Sequence, residues 1–224
     1  MREVFRTAPL FAALDDEAAA ALRASMHQVR LRRGALLFAE GAAGDQLFVV
    51  VEGKLKLSRA AADGRENILA VLGPGEMFGE LSLFDPGPRT SSAVAVTDAG
   101  LLSLGHDALR PWLTGRPEVA AALLGALARR LRRTNESLAD LVFSDVPGRV
   151  AKALLDLSHR FGVPDADGLR VSHDLTQEEL AQLVGASRET VNKALADFAH
   201  RGWLRIEARA VVLLDVPRLT RRAG

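Results

Sequence analysis

The sequence predicts an α+β protein in which an antiparallel β-roll, of the jelly-roll kind, is joined by one long helix to a C-terminal winged helix-turn-helix. Three observations carry this. Residues from about 28 to 104 break into short apolar or alternating runs punctuated by glycine, as strands do. From Pro117 to Phe143 the apolar residues recur in steps of three and four with no interior proline, as on a helix. After Thr176, two capped helical segments follow one another across a short turn containing Gly185, which is the pattern of a helix-turn-helix.

Composition narrows the class. A chain of 224 residues can bury a sizeable core, and two domains of unequal size is the natural division. Hydrophobic content of 48% and charged content of 25% suit a soluble globular protein, and no run approaches the ~18 apolar residues a membrane span needs. Residues 1–14 are mildly apolar, but Pro9 interrupts them and Asp15-Asp16-Glu17 closes them, unlike a signal peptide. The absence of cysteine excludes disulfides, thiolate zinc sites, thiol catalysis and cysteine-held iron–sulfur clusters, and makes the cytoplasm the expected compartment. Net charge is only +1, yet from Arg188 onward 8 basic residues stand against 4 acidic ones. That local excess suits phosphate contact, and it equally suits a solvated tail.

The elements follow in order. A helix is expected at about 15–26, then strands at 46–52, 54–58 and 67–72, and a second helix at about 106–114 closes the roll. Lys54-Leu55-Lys56-Leu57 alternates strictly, which predicts a half-buried strand, and Asp63-Gly64 is a hairpin-type turn. On the long helix, Leu124, Leu127, Leu131, Leu138 and Leu141 form a heptad stripe, with Thr134 at the remaining seam position. Arg129, Arg132, Arg133 and Glu136 lie outside it, so the stripe is narrow. It predicts a two-helix coiled coil and hence a homodimer, the alternative being a helix packed on its own domain. Asp145 is an N-cap for the next helix, Pro147 falls in its first turn, Val150, Leu154, Leu157 and Phe161 are its buried face, and Gly162 ends it. The expected division is therefore a roll at 1–116, a long helix at 117–143, a hinge at 144–147 and a second domain at 148–224.

Within that second domain, Thr176-Gln177-Glu178-Glu179 is a capping box for a helix buried through Leu180, Leu183 and Val184, and Gly185 ends it. Ser187 caps the next helix, which runs to about His200. Val191, Ala194, Leu195 and Phe198 form its packing face, leaving Arg188, Glu189, Asn192 and Lys193 outward near its N-terminus. Arginine can grip guanine O6 and N7 with two bonds, glutamate can accept from cytosine N4, and lysine can reach a base edge or a phosphate. Glu189 and Lys193 are also spaced to form a simple i,i+4 ion pair. Residues 203–207 and 210–214 read as two short strands of a wing.

The run Leu175-Thr176-Gln177-Glu178-Glu179-Leu180-Ala181, followed by Ser187-Arg188-Glu189-Thr190-Val191-Asn192-Lys193, resembles the recognition region of the bacterial cyclic-AMP receptor proteins (catabolite activator proteins) of the Crp/Fnr transcription regulator superfamily. The similarity runs over essentially the whole chain. It implies a cyclic-nucleotide-binding β-roll, a dimerising helix, a hinge at Asp145 and a winged helix. It also implies a DNA-contacting set of Thr176, Gln177, Ser187, Arg188, Glu189, Thr190, Asn192 and Lys193. The operator expected from that set is palindromic with TGTGA-like half-sites, and RNA polymerase is a further partner.

Phe78-Gly79-Glu80-Leu81-Ser82, followed by Pro88-Arg89-Thr90-Ser91-Ser92, resembles the phosphate-binding cassette of cyclic-nucleotide domains. Gly79 lets backbone N–H groups approach a phosphate, and a short helix starting near Glu80 turns its N-terminus toward the anion. Arg89 can pair with phosphate oxygens in a charge-assisted fork, with the Thr90 hydroxyl as a further donor, and Glu80 is suited to accept from the ribose 2′-hydroxyl. The resemblance assigns the base to Arg130, Thr134 and Asn135 on the long helix. Thr134 lies on the heptad seam, so a base there touches both subunits. The family's best-known members carry serine where this chain has Asn135, whose amide can also accept and donate. The implied ligand is cyclic AMP, with no metal, iron–sulfur cluster or haem. A regulator on the same scaffold that answers another nucleotide, or none, is the alternative. A metal-dependent jelly-roll enzyme is the remote one, because the five histidines are dispersed rather than clustered with carboxylates.

Overall fold

The computed structural model describes residues 8–12, 14–61, 64–85 and 87–224. Residues 1–7 and Asp63 of the expected hairpin turn lie outside the described residues; its partner Gly64 has a φ of 83°. The chain forms two compact units, one built from Met1–Arg59 and Leu69–Arg133, the other from Ala60–Ile68 and Thr134–Gly224.

In the first unit, α1 (Pro9–Ala12) and α2 (Asp16–Ala24) precede the roll, and Asp15 caps α2 by accepting from Ala18 N at 2.7 Å. Strands β1 (His27–Leu31), β2 (Leu36–Phe38), β3 (Gln46–Glu52), β4 (Leu55–Ala60), β5 (Glu66–Leu72, of which Leu69–Leu72 belong to this unit), β6 (Met77–Phe78), β7 (Ser92–Ala95) and β8 (Ala99–Gly105) follow, with the short α3 (Leu81–Phe84) between β6 and β7. They form two four-stranded sheets, ordered β1-β8-β3-β6 and β2-β7-β4-β5. Phe48, Val50 and Leu101 from the first sheet cluster with Leu55, Leu57 and Ala93 from the second, so the core lies between them. The opposite side chains of β3 and β8 (Leu47, Val49, Leu102, Leu104) pack with Leu10 and Leu22 and with Leu109 of α4 (His106–Gly115). This explains why 47–51 reads as a continuous apolar run: β3 is covered on both faces.

The expected half-buried strand at 54–58 is instead buried throughout from Leu55 to Ser58, Lys56 included. β4 sits inside its sheet between β7 and β5. A lysine there lays its aliphatic stem along neighbouring side chains, so alternation in the letters does not become alternation in exposure.

The long helix α5 (Pro117–Phe143) spans 27 residues. Its buried residues are Val119 and Leu123, which join the core of the first unit. Of the heptad leucines, Leu124, Leu131, Leu138 and Leu141 are exposed in the single chain and Leu127 is half-buried.

The second unit is built on α6 (Val146–Phe161), α7 (Gln177–Val184) and α8 (Arg188–His200), with a four-stranded antiparallel sheet. The wing strands β11 (Leu204–Glu207) and β12 (Ala210–Leu213) are where the sequence suggests. Strands β9 (Gly162–Pro164) and β10 (Leu169–Val171), and a C-terminal helix α9 (Val216–Ala223), are additions. Each strand is too short for a pattern, and α9 buries only Leu219. Phe161 and Leu183, expected as core residues, are half-buried, whereas Val150, Leu154, Leu157, Leu180, Val191 and Phe198 are buried.

Candidate functional site

The cassette lies where β6 meets α3. Gly79 has a φ of 81°, and a Cβ there would sit 2.8 Å from Arg89 Nη1 and 2.9 Å from Gln46 O, so only glycine fits. Arg89 is only 6% exposed. Its Nη1 donates to Gly79 O at 2.9 Å and its Nη2 to Gln46 O at 2.8 Å. Burial draws its pKa below the ordinary arginine value, opposed by the charges of Asp45 and Glu80. Glu80 is 1% exposed; Oε1 accepts from Arg130 Nη1 at 2.6 Å, and among the described residues Oε2 is buried without a hydrogen-bond partner. Phe78 is fully buried and stacks on Phe48 with ring centroids 5.4 Å apart. Ser82 is buried; Leu81 and Thr90 are exposed.

α3 is a single turn of four residues, so it contributes little dipole, and an anion would meet the bare N–H groups of the turn. Arg130, expected at the base, is ion-paired with the carboxylate expected at the ribose. Thr134 and Asn135 follow one turn later on α5, are exposed, and belong to the second unit.

The helix-turn-helix forms as its letters suggest. Thr176 Oγ1 accepts from Glu179 N at 3.1 Å while Glu179 Oε2 accepts from Thr176 N at 2.8 Å, and Gln177 is the first residue of α7. Gly185 adopts a φ of 69° at the end of α7. Ser187 Oγ accepts from Thr190 N at 3.2 Å, capping α8. Arg188, Glu189, Thr190 and Lys193 are exposed, Asn192 is half-buried, and Val191, Ala194, Leu195 and Phe198 are buried. Glu189 and Lys193 do pair, at 2.6 Å, with both side chains about three-quarters exposed. A solvated i,i+4 pair is held by only about 0.3–0.5 kcal/mol, so either partner is easily redirected.

The family model for the cyclic nucleotide-binding domain matches residues 28–114, and that for the Crp-like helix-turn-helix domain matches residues 148–222. The chain belongs to the Crp family. It is 58% identical over 223 residues, all of both chains, to the "CRP-like cAMP-activated global transcriptional regulator" of Mycobacterium tuberculosis. It is 40% identical to the "Cyclic AMP receptor protein" of Thermus thermophilus, covering 92% of this chain and 95% of the relative. The structure of the c-di-GMP responsive global regulator CLP of Xanthomonas campestris superposes with a TM-score of 0.77 at 27% identity, covering 89% of this chain and 99% of that one. A Crp-family chain of this build is a transcription regulator with a cyclic-nucleotide-binding domain and a DNA-binding domain, not an enzyme. Among the described residues no helix is long and apolar enough to cross a membrane.

In this Crp-family chain the joint between α5 and α6 is held at the expected cap Asp145 and by two arginines, Arg149 and Arg222, that no motif marks. Asp145 caps α6, accepting from Gly148 N at 2.9 Å and from Arg222 Nη2 of α9 at 2.6 Å. Arg149 Nη1 donates to Ser144 O at 2.8 Å and Nε to Val184 O at 3.1 Å, tying the joint to the end of α7. The Arg222 hydrogen bond, then the Gly148 N–H, holds the Asp145 carboxyl below its ordinary pKa. Its contribution to stability is thus present above the unfolded carboxyl value and lost as pH falls through the lower folded one. Arg222→Ala is expected to lower the thermal midpoint at neutral pH, with the gap to wild type closing below about pH 4. Asp145 is largely exposed, so solvent screening keeps the gap small. Melts of both proteins across that range test it; a gap that persists in acid would show that Arg222 acts through packing alone.

Proposed function

We propose that this Crp-family protein is a cyclic-AMP-responsive homodimer that binds a palindromic operator with TGTGA-like half-sites and passes nucleotide binding on to DNA affinity. The observation that carries the ligand reading is the pair of unsatisfied needs at the cassette. Among the described residues, Arg89 is a buried cation hydrogen-bonded only to two carbonyl oxygens, and Glu80 keeps a buried carboxylate oxygen with no donor. A cyclic phosphate meets the first need and a ribose hydroxyl the second. Phe78 and Gly79 shape the turn, and Leu81, Ser82 and Thr90 border it. On α5, Arg130, Thr134 and Asn135 are assigned to the base, with Arg130 shared between the base and Glu80.

The division proposed is a ligand domain at 1–116, a dimerising helix at 117–143, a hinge at 144–147 centred on Asp145, and a DNA-binding domain at 148–224. The exposed leucine stripe of α5 supports the dimer. A nucleotide at the seam would alter how the paired helices pack and so how the two recognition helices are spaced, about one turn of DNA (~34 Å) apart. Thr176, Gln177, Ser187 and Thr190 would anchor phosphates, and Arg188, Glu189, Asn192 and Lys193 would face the bases. RNA polymerase is a further partner, and the cytoplasm the site of action. The relatives' names support cyclic AMP as the ligand. Asn135 favours one second reading, a different nucleotide on the same scaffold.

Calorimetric titration with cyclic AMP and cyclic GMP, paired with binding to a palindromic TGTGA-type duplex with and without nucleotide, tests the proposal. Tight cyclic-AMP binding that raises duplex affinity supports it; duplex binding indifferent to cyclic AMP reassigns the pocket. At α8, Glu189→Ala is expected to relax discrimination at its base position by about 1–3 kcal/mol while keeping most non-specific affinity. Equal losses on matched and mismatched operators would place Glu189 away from the bases.

A further inference from the structure

Three aromatic rings meet beneath the cassette. Phe38, at the end of β2, has its ring centroid 5.8 Å from that of Phe48 and 6.1 Å from that of Phe78. The Arg89 guanidinium lies over this group, its Cζ 4.3 Å from the Phe38 centroid and 5.7 Å from that of Phe48. Backbone closes in around it: a Cβ on Gly44 would overlap Arg89 Nε and lie 2.7 Å from Cζ. Each Nη spends one N–H on a carbonyl, at Gly79 and Gln46, and the remaining donors stay unspent among the described residues. Among the described residues no carboxylate hydrogen-bonds this cation; Asp45 and Glu80 act on it through their charge.

Arginine has a long, rotamer-rich side chain, and a bidentate contact requires its plane to be set. Two carbonyl bonds hold the guanidinium's edge, but they leave rotation about that edge open. A ring face packed against the cation restricts this freedom while adding cation–π attraction, which is strongest where water is excluded. We infer that Phe38 is a positioning residue for anion binding, its ring face setting the plane of the Arg89 guanidinium so that the phosphate meets a fork already oriented. This rests on the reading of Arg89 as the phosphate ligand and adds the residue that prepares it. Nothing in the letters at 36–38 distinguishes Phe38 from an ordinary strand residue; the placement emerges only from the fold.

The test uses the full-length protein, with Phe38→Leu, Phe38→Met and Phe38→Tyr, each checked by thermal melting. Each is titrated with cyclic AMP and with its two phosphorothioate diastereomers. An oriented guanidinium favours one diastereomer, because sulfur at the oxygen it grips is a poorer acceptor. Phe38→Leu and Phe38→Met are expected to weaken cyclic-AMP binding about 5- to 20-fold and to shrink the diastereomer ratio, while Phe38→Tyr keeps both within about twofold of wild type. Unchanged affinity and ratio in the leucine and methionine variants would overturn the inference. So would a loss with an unchanged ratio that tyrosine does not rescue, because that is mere packing. Wild type failing to bind any of the three ligands would overturn the nucleotide reading itself, and is distinguishable from a failure confined to Phe38.

Discussion

Arg89→Ala is expected to weaken cyclic-nucleotide binding at least about a hundredfold and to leave the protein folded. A hydrogen bond between charged partners contributes about 1.5–3 kcal/mol, and a guanidinium fork on a phosphate makes two of them. Losing 3–6 kcal/mol in all is roughly a factor of 10² to 10⁴ in dissociation constant. The fold withstands the change because Arg89 is no keystone of the core. It frees the carbonyls of Gly79 and Gln46, which water entering the vacated space can satisfy, and it removes a cation whose burial is itself unfavourable. Arg89→Lys refines the point. An ammonium keeps the charge but cannot present a planar fork, so affinity should fall between those of wild type and the alanine variant. Calorimetry and a thermal melt of each protein decide the matter. Tight binding retained by a folded alanine variant would take Arg89 out of the phosphate site.

The features legible in the sequence are those whose cause is local. Thr176 with Glu179, Ser187 with Thr190, and Gly185 at a φ of 69° are cap and turn chemistry written within four residues, and the structure forms each of them. The cassette is similar: Gly79 announces a backbone that no Cβ could follow. What stayed illegible depends on partners far along the chain. Glu80 and Arg130 are 50 residues apart, Asp145 and Arg222 are 77 apart, and no period or spacing links either pair. Lys56 misled because an alternating pattern reports one face of a strand and says nothing of what covers the other. On α5 the stripe was visible, but the anchor was not: Val119 and Leu123 fall outside the heptad count and fix the helix to its unit.

That separation of anchor from stripe underlies the second large effect. Leu131→Asp is expected to turn the proposed dimer into a monomer and to cut affinity for a full palindrome by about 10²- to 10⁴-fold. Leu131 is 62% exposed in the single chain, and Leu124, Leu138 and Leu141 are at least half exposed beside it on the same helix. Covering one such side chain contributes about 1.5–3 kcal/mol, so the stripe taken from both protomers is the natural source of dimer stability. In a two-fold seam a carboxylate meets its own symmetry mate or lies near it, adding repulsion and desolvation to the lost contact. The protomer itself should survive, because Leu131 packs into neither core and α5 remains anchored by Val119 and Leu123. α7 and α8 keep their caps, so affinity for a single half-site should scarcely change, and the whole loss comes from uncoupling two reading heads that had bound as one. Light scattering on the eluting protein, with titration of full-palindrome and half-site duplexes, separates these expectations. A variant that stays dimeric with full palindrome affinity would mean that α5 is not the seam, and the exposed leucines would then need another partner.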